Sequence, residues 1–165
     1  MAIQSIAPIS FESVSNVTAS PSVELGTERQ EGFIKYVYCF NAGAASIGQG
    51  QMGRLSPSSI GSGYSVVVSN PASQAGGEFV VGVAHNAAIA AASYGWLAVK
   101  GPVLVALDAT QTSMNSGDLL APGVDGGFVV AAATLSTGLR LGFALNSLVT
   151  TVGTGKAMFK SPIYG

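Results

Sequence analysis

Apolar and polar positions along this chain come in short bursts at strand spacing, with little recurrence at helical spacing. The first burst is Gly32–Phe40. Ile34, Tyr36, Tyr38 and Phe40 share one face of it, and Phe33, Lys35, Val37 and Cys39 share the other. Both faces are largely apolar, which predicts a strand covered on both sides. Similar bursts follow at Tyr64–Val68, Phe79–Ala84, Tyr94–Val99, Val103–Leu107, Gly117–Leu120, Phe128–Ala133, Leu139–Leu145 and Ala157–Phe159. Between them lie turn-forming stretches such as SNPASQAGG and PGVDGG. Gly101-Pro102 is expected to separate the strand before it from the strand after it. Asn41–Gly63 reads as loop, and Asn86–Ser93 as a small-residue connection with room for one helical turn. About eight to ten short strands at this spacing predict an all-β fold, a compact sandwich or barrel.

The densest stretch is Phe79–Leu107, which holds the single Trp (Trp96) and the single His (His85). Phe79–Val99 carries no formal charge and is long enough to span a bilayer. It also contains His85, Asn86, Ser93, two glycines and many weakly apolar alanines, so two strands and a turn are expected in place of a membrane helix. One internal echo involves this stretch: Gly82-Val83-Ala84-His85-Asn86 recurs as Gly142-Phe143-Ala144-Leu145-Asn146. Two similar strand ends would suit a barrel with an approximate internal pairing.

Residues 1–31 form a Ser/Thr-rich lead-in with scattered apolar positions at Ile3, Ile6, Ile9 and Phe11, and prolines at 8 and 21 that oppose a helix. The expectation is an extended N-terminal arm over 1–31 and a single β domain over 32–165. The first residues lack the basic and long apolar regions of a secretory signal. In that context the acceptor-like Asn16-Val17-Thr18 carries no weight.

Composition sharpens the picture in one respect. Charged residues are 9% of the 165, against a usual quarter, while apolar residues are 48% and mean hydropathy is +0.46. A surface this poor in charge predicts cover by copies of the chain or by a larger assembly. A net charge of −1 steers the protein toward neither nucleic acid nor an anionic membrane.

Candidate chemistry is sparse. Cys39, the only cysteine, excludes an internal disulfide and is expected as a buried small hydrophobe. Gly48-Gln49-Gly50-Gln51-Met52-Gly53 matches the dinucleotide glycine pattern in form, yet Arg54-Leu55-Ser56-Pro57 does not open the required helix and the next acid is Glu78. His85 is the one candidate base, with no G-x-S-x-G elbow to serve. Asp108, Asp118 and Asp125 stand in or beside turns, at a spacing that fits no calcium loop. One His and one Cys nearly exclude zinc. The Lys and Arg residues are scattered, which opposes a nucleic-acid site. Tyr94, Trp96 and the aromatics of Phe33–Phe40 offer a carbohydrate platform or, more commonly, core and interface. No catalytic residue, cofactor or metal is expected.

The run VVGVAHNAAIAAASYGWLAVKG resembles the signature segment of capsid decoration (cement) proteins of tailed bacteriophages and related small β-barrel head proteins. Gly82 and Ala84 close the G-V-A strand end, and Tyr94, Gly95 and Trp96 form the following strand. Downstream, Ser116-Gly117-Asp118-Leu119-Leu120 resembles the family's small-Gly-Asp-x-Leu turn, and Gly142-Phe143-Ala144-Leu145 its closing strand. The likeness covers about Gly77–Ser147. It implies a compact β-barrel or β-tulip that sits on the capsid surface of the virion as a homotrimer and bridges major capsid protein subunits, helped by its N-terminal arm. Apolar contacts across capsomer boundaries would then do the work, and Ile3, Ile6 and Phe11 of the arm, with Phe33, Tyr36 and Tyr38, are the expected contact residues. Trp96 is expected in the core. The alternatives are another phage structural subunit (tail tube, head completion or fibre head) and a carbohydrate-binding β-sandwich built around Trp96.

Overall fold

A computed structural model describes residues 13–55, 65–68, 80–123, 126–130, 140–148 and 154–163. The described elements are all strands: β1 (Glu28–Glu31), β2 (Ile34–Asn41), β3 (Met52–Leu55), β4 (Ser65–Val68), β5 (Val80–Val83), β6 (Tyr94–Ala106), β7 (Leu119–Pro122), β8 (Phe128–Val130), β9 (Gly142–Ala144) and β10 (Thr154–Lys160). They form one ten-stranded sheet in the order β1-β2-β4-β3-β5-β6-β10-β9-β7-β8. The expected all-β class is borne out. The sheet as a whole does not close into a barrel.

Two local returns curl it. β2 pairs β4 in parallel and also pairs β6 antiparallel, so β2, β4, β3, β5 and β6 are hydrogen-bonded in a circuit. The far end of β6 then pairs β10, and Leu107, just beyond β6, bridges Phe128 of β8 in parallel. That links β6, β10, β9, β7 and β8 in a second circuit of the same connectivity. β6 therefore serves both halves. Its start (Tyr94–Ala98) lies against β2, and its end (Lys100–Ala106) against β10. The predicted break at Gly101-Pro102 is a correction: the strand runs through. Gly101 has φ +114, and a Cβ there would collide with the Phe33 carbonyl, so a side chain is excluded where the chain passes between halves. Pro102 is tolerated because the strand exchanges partners at this point.

The two halves match in register. Met52 faces Val83 as Leu119 faces Phe143, and Gly53 faces Gly82 as Leu120 faces Gly142. Val83 faces Ala98 as Phe143 faces Met158. The isolated bridge Ile47–Ile89 has its counterpart in Met114–Leu148. The Gly50 and Ala84 amides bond to Ala84 and Gln51 carbonyls (2.8 and 2.9 Å), and the Gly117 and Ala144 amides bond to Ala144 and Asp118 carbonyls (both 2.8 Å). Even the side-chain caps agree: Gln51 Oε1 accepts from the Gly48 amide and Asp118 Oδ2 from the Asn115 amide, each at 2.7 Å. The sequence echo is thus the visible trace of an internal structural repeat. Its two copies occupy equivalent places and do not pair with each other.

Each half has its own core. In the first, Val37, Cys39, Ile47, Val66, Val81, Ala84, Ile89, Leu97 and Val99 fill the inside of the circuit. In the second, Val103, Val105, Leu107, Met114, Leu120, Phe128, Leu141, Ala144, Ala157 and Phe159 do so. The second cluster also takes in the outer face of the first half: Tyr36, Tyr38, Met52, Val80, Val83, Trp96 and Ala98. That is why β2 is apolar on both faces.

The lead-in covers much of this outer face. Val14 is buried, Val23 and Leu25 pack against the same cluster, and Thr18 bridges Tyr94. The boundary expected at residue 31 falls inside a hairpin. β1 lies before it and pairs β2 from Glu28↔Val37 to Glu31↔Ile34. β3 lies within the stretch read as loop, because Met-Gly-Arg-Leu carries no strand signature of its own and is fixed by pairing with β4 and β5. Asn86–Ser93 holds turns and a bridge and no helical turn.

Candidate interaction surface

Among the described residues, Cys39, His85, Asp108 and Asp118 hold turns and strands. The Cys39 thiol is fully buried, donates to the Gly95 carbonyl, and is pushed far up by burial, so it is not a nucleophile. His85 Nδ1 accepts the Leu104 amide at 2.8 Å, tying the end of β5 to the second half of β6. Burial lowers its pKa below the ordinary range, so it is a neutral acceptor. Asp108, also buried, receives the Thr110 amide and hydroxyl through Oδ1 at 2.9 and 2.6 Å. Asp118 caps the turn before β7. Asp125 lies outside the described residues. Among the described residues, no three His, Cys, Asp or Glu side chains gather as a metal-binding group. No described helix is long and apolar enough to cross a membrane.

The glycine-rich run 48–53 is a turn leading into β3. Gly50 has φ +82 and lies so close to the backbone of Val105 and Ala106 that a Cβ would stand 2.5 Å from the Ala106 nitrogen. This contact joins the two halves, and the Gly50 carbonyl also accepts the Ala106 amide at 3.0 Å. A shallow depression of about 230 Å³ over the β1–β2 hairpin is lined by Glu28, Arg29, Gln30 and Lys35, and ion pairs Arg29–Glu31 (2.7 Å) and Lys35–Glu28 (2.9 Å) cross it.

Of the expected contact residues, Tyr36 and Tyr38 are corrections. They are 3% and 0% exposed. The lead-in lies over Tyr38, whose hydroxyl meets the amide and hydroxyl of Ser22 at 3.2 and 2.9 Å, and Tyr36 receives the Asn86 amide at its hydroxyl. Neither tyrosine is free to bind a partner. Phe33 is 89% exposed at the tip of the β1–β2 hairpin, beside Gly32 with φ +57. Ile3, Ile6 and Phe11 lie outside the described residues. No protein-family model and no curated protein matches the chain.

The motif residues take structural places. Gly82 packs so tightly that a Cβ would sit 2.6 Å from the Ala98 carbonyl oxygen, and Gly142 is blocked in the same way by the Met158 carbonyl. Gly95 is closed by Ile89. Ala84 and Ala144 are buried at the strand ends that bond to the turns at Gln51 and Asp118. Gly117, φ +92, forms the turn equivalent to that of Gly50 but has open space where its Cβ would be. Trp96 is 5% exposed and packs on Tyr38, with ring centroids 5.0 Å apart. Its expected core position is borne out, and it presents no ring face to a sugar. Tyr94 is half-buried between Phe40 and Tyr38.

A surface that sequence reading did not single out lies on the second half. Leu119, Phe143 and Met158 sit opposite one another on β7, β9 and β10, at 37%, 43% and 38% exposure. The signal was available in part: β10 alternates as Lys156, Met158, Lys160 against Ala157 and Phe159. Register alone shows that Met158 is continued by Phe143 and Leu119.

Proposed function

We propose that this chain is a structural protein of a tailed-bacteriophage virion, a decoration protein that binds the outer capsid surface and stabilises contacts between major capsid protein subunits. The observation that carries this reading is the division of labour among its side chains. Among the described residues, Cys39, His85, Asp108 and Asp118 are engaged in hydrogen bonds to the chain's own backbone, whereas large apolar side chains are presented to solvent from hydrogen-bonded strands and a tight hairpin. Such a surface loses area to a partner without first having to order itself, which lowers the entropic cost of binding. Phe33 is the residue best placed to enter an apolar recess on a capsomer. The resemblance of the Gly77–Ser147 segment to decoration proteins supplies the partner class. The function is mechanical: added contacts across capsomer boundaries oppose the pressure of the packaged genome.

The test mixes purified protein with expanded, undecorated capsids and measures bound copies after sedimentation. Saturable, stoichiometric binding that Phe33→Asp reduces at least tenfold is expected. Absence of stoichiometric binding by the wild-type chain overturns the reading.

A further inference from the structure

The repeat makes each half a control for the other. In the first half, a row of apolar side chains crosses four strands in register: Met52, Val83, Ala98 and Tyr36. All four are at most 3% exposed. They belong to the cluster that contains the core of the second half and the apolar side chains of the lead-in. In the second half, the equivalent row is Leu119, Phe143, Met158 and Pro102. It is as apolar, yet its first three members are 37–43% exposed and Pro102 is half-buried. The turns repeat the contrast, since Gly50 is pressed against the next half while Gly117 faces open space. The second half thus carries the docking face that the first half uses internally.

Charge indicates what fits there. Lys35 faces Lys100 across β2 and β6, and Lys100 faces Lys160 across β6 and β10. Lys156 lies on the same face of β10, on the other side of Met158. Like charges directly opposite on neighbouring strands repel. Within the chain, Glu28 of the lead-in hairpin answers Lys35. Among the described residues, Lys100, Lys156 and Lys160 have no carboxylate within salt-bridge distance. The lead-in, conversely, is where the described glutamates lie: Glu28 and Glu31 are paired with Lys35 and Arg29 within the hairpin, and Glu24 is exposed outside those pairs.

We propose that the outer face of the second half is a self-association surface that takes a second copy of this chain. The Leu119–Phe143–Met158 row forms the apolar centre of the contact, and the flanking lysines meet the lead-in of the neighbour at Glu24, the described glutamate outside the hairpin's ion pairs. The contact is head-to-tail, joining different surfaces of the two copies. It requires no capsid and stands independently of the decoration reading.

Sedimentation equilibrium of the full chain across a concentration series tests it. The expected wild-type result is a mass that is a multiple of 16.5 kDa, with association weakened by salt. Phe143→Glu and Met158→Glu should each weaken association at least tenfold while leaving the circular dichroism spectrum unchanged. Peroxide oxidation of the wild-type chain gives a second readout: Met158 should become protected as concentration rises, while buried Met52 and Met114 stay slow throughout. A wild-type chain that stays monomeric overturns the proposal. So does an oligomer that survives both substitutions, or one that leaves Met158 as reactive as in dilute solution. Failure to bind capsids by a chain that still self-associates through Phe143 would refute only the decoration reading.

Discussion

Asn41→Asp is a near-isosteric change whose cost follows from one buried amide. Asn41 ends β2 with no exposed surface. Its Nδ2 donates to the carbonyls of Ala45, Ile89 and Ala90 at 2.9, 3.0 and 3.1 Å, and its Oδ1 accepts the Gly43 amide at 3.0 Å. It therefore pins the strand end to the Ile47–Ile89 bridge. Aspartate keeps the acceptor but turns the two donor hydrogens into a second oxygen facing three carbonyls. Losing the donor bonds costs about 1 kcal/mol each, and the Ile89 carbonyl, which keeps the Ile47 amide, now faces a second oxygen. Burial of the charge adds to this, so about 4–6 kcal/mol is expected at neutral pH, a large share of the roughly 5–15 kcal/mol that holds a domain together. The new carboxyl would have its folded pKa raised above the unfolded value. Its folded form then binds more protons, and the deficit grows as pH rises through that folded pKa and shrinks on acidification. Urea unfolding followed by Trp96 fluorescence, at neutral and mildly acidic pH, measures both effects. A loss below about 1.5 kcal/mol at neutral pH would refute the reasoning, as the donor bonds alone account for more. An unchanged deficit at low pH would refute the electrostatic part.

Three other outcomes are expected. His85 has a folded pKa depressed below its unfolded value, so stability is complete above the unfolded pKa and declines as pH falls toward the folded one; the melting temperature of the wild type should drop more between pH 7.5 and pH 5.5 than that of His85→Asn, the difference between the two isolating this group. Trp96→Ala should cost about 3–5 kcal/mol by removing the ring that packs on Tyr38, whereas Trp96→Phe should cost less than half as much, because among the described residues the indole Nε1 has no acceptor to lose; calorimetry separates them. Gly50→Ala and Gly117→Ala both place a side chain at positive φ, but only the first also drives a Cβ into the Ala106 backbone, so Gly50→Ala should be the more destabilising by at least about 2 kcal/mol in chemical denaturation.

Much of the strand content was legible because strands with two apolar faces announce themselves locally. Ile34–Asn41, Val80–Val83 and the start of β6 are rich in β-branched and aromatic residues. β3 was not, since Met52–Leu55 includes Gly53 and Arg54 and is a strand only because β4 and β5 flank it. The break expected at Gly101-Pro102 follows from local rules. Those rules miss that a strand changing partners between two circuits can accommodate both residues.

Site residues divide in the same way. Cys39 and Trp96 read correctly as core from their neighbours alone. Tyr36 and Tyr38 did not, because whether an apolar face meets a partner or the chain's own lead-in is a matter of path and not of composition. The row on the second half was legible only at Met158 for the same reason: Leu119, Phe143 and Met158 are distant in sequence and become neighbours only through register.

What the sequence determined by itself is the all-β class and a composition poor in charge. These follow from residue type, periodicity and charge, which act over a few neighbours. Tertiary structure decided that the chain is two equivalent halves sharing β6, that the lead-in seals one of them, and that the same face on the other is exposed. Those outcomes depend on long-range hydrogen-bond register, and a pentapeptide echo is all that such register leaves in the linear order of residues.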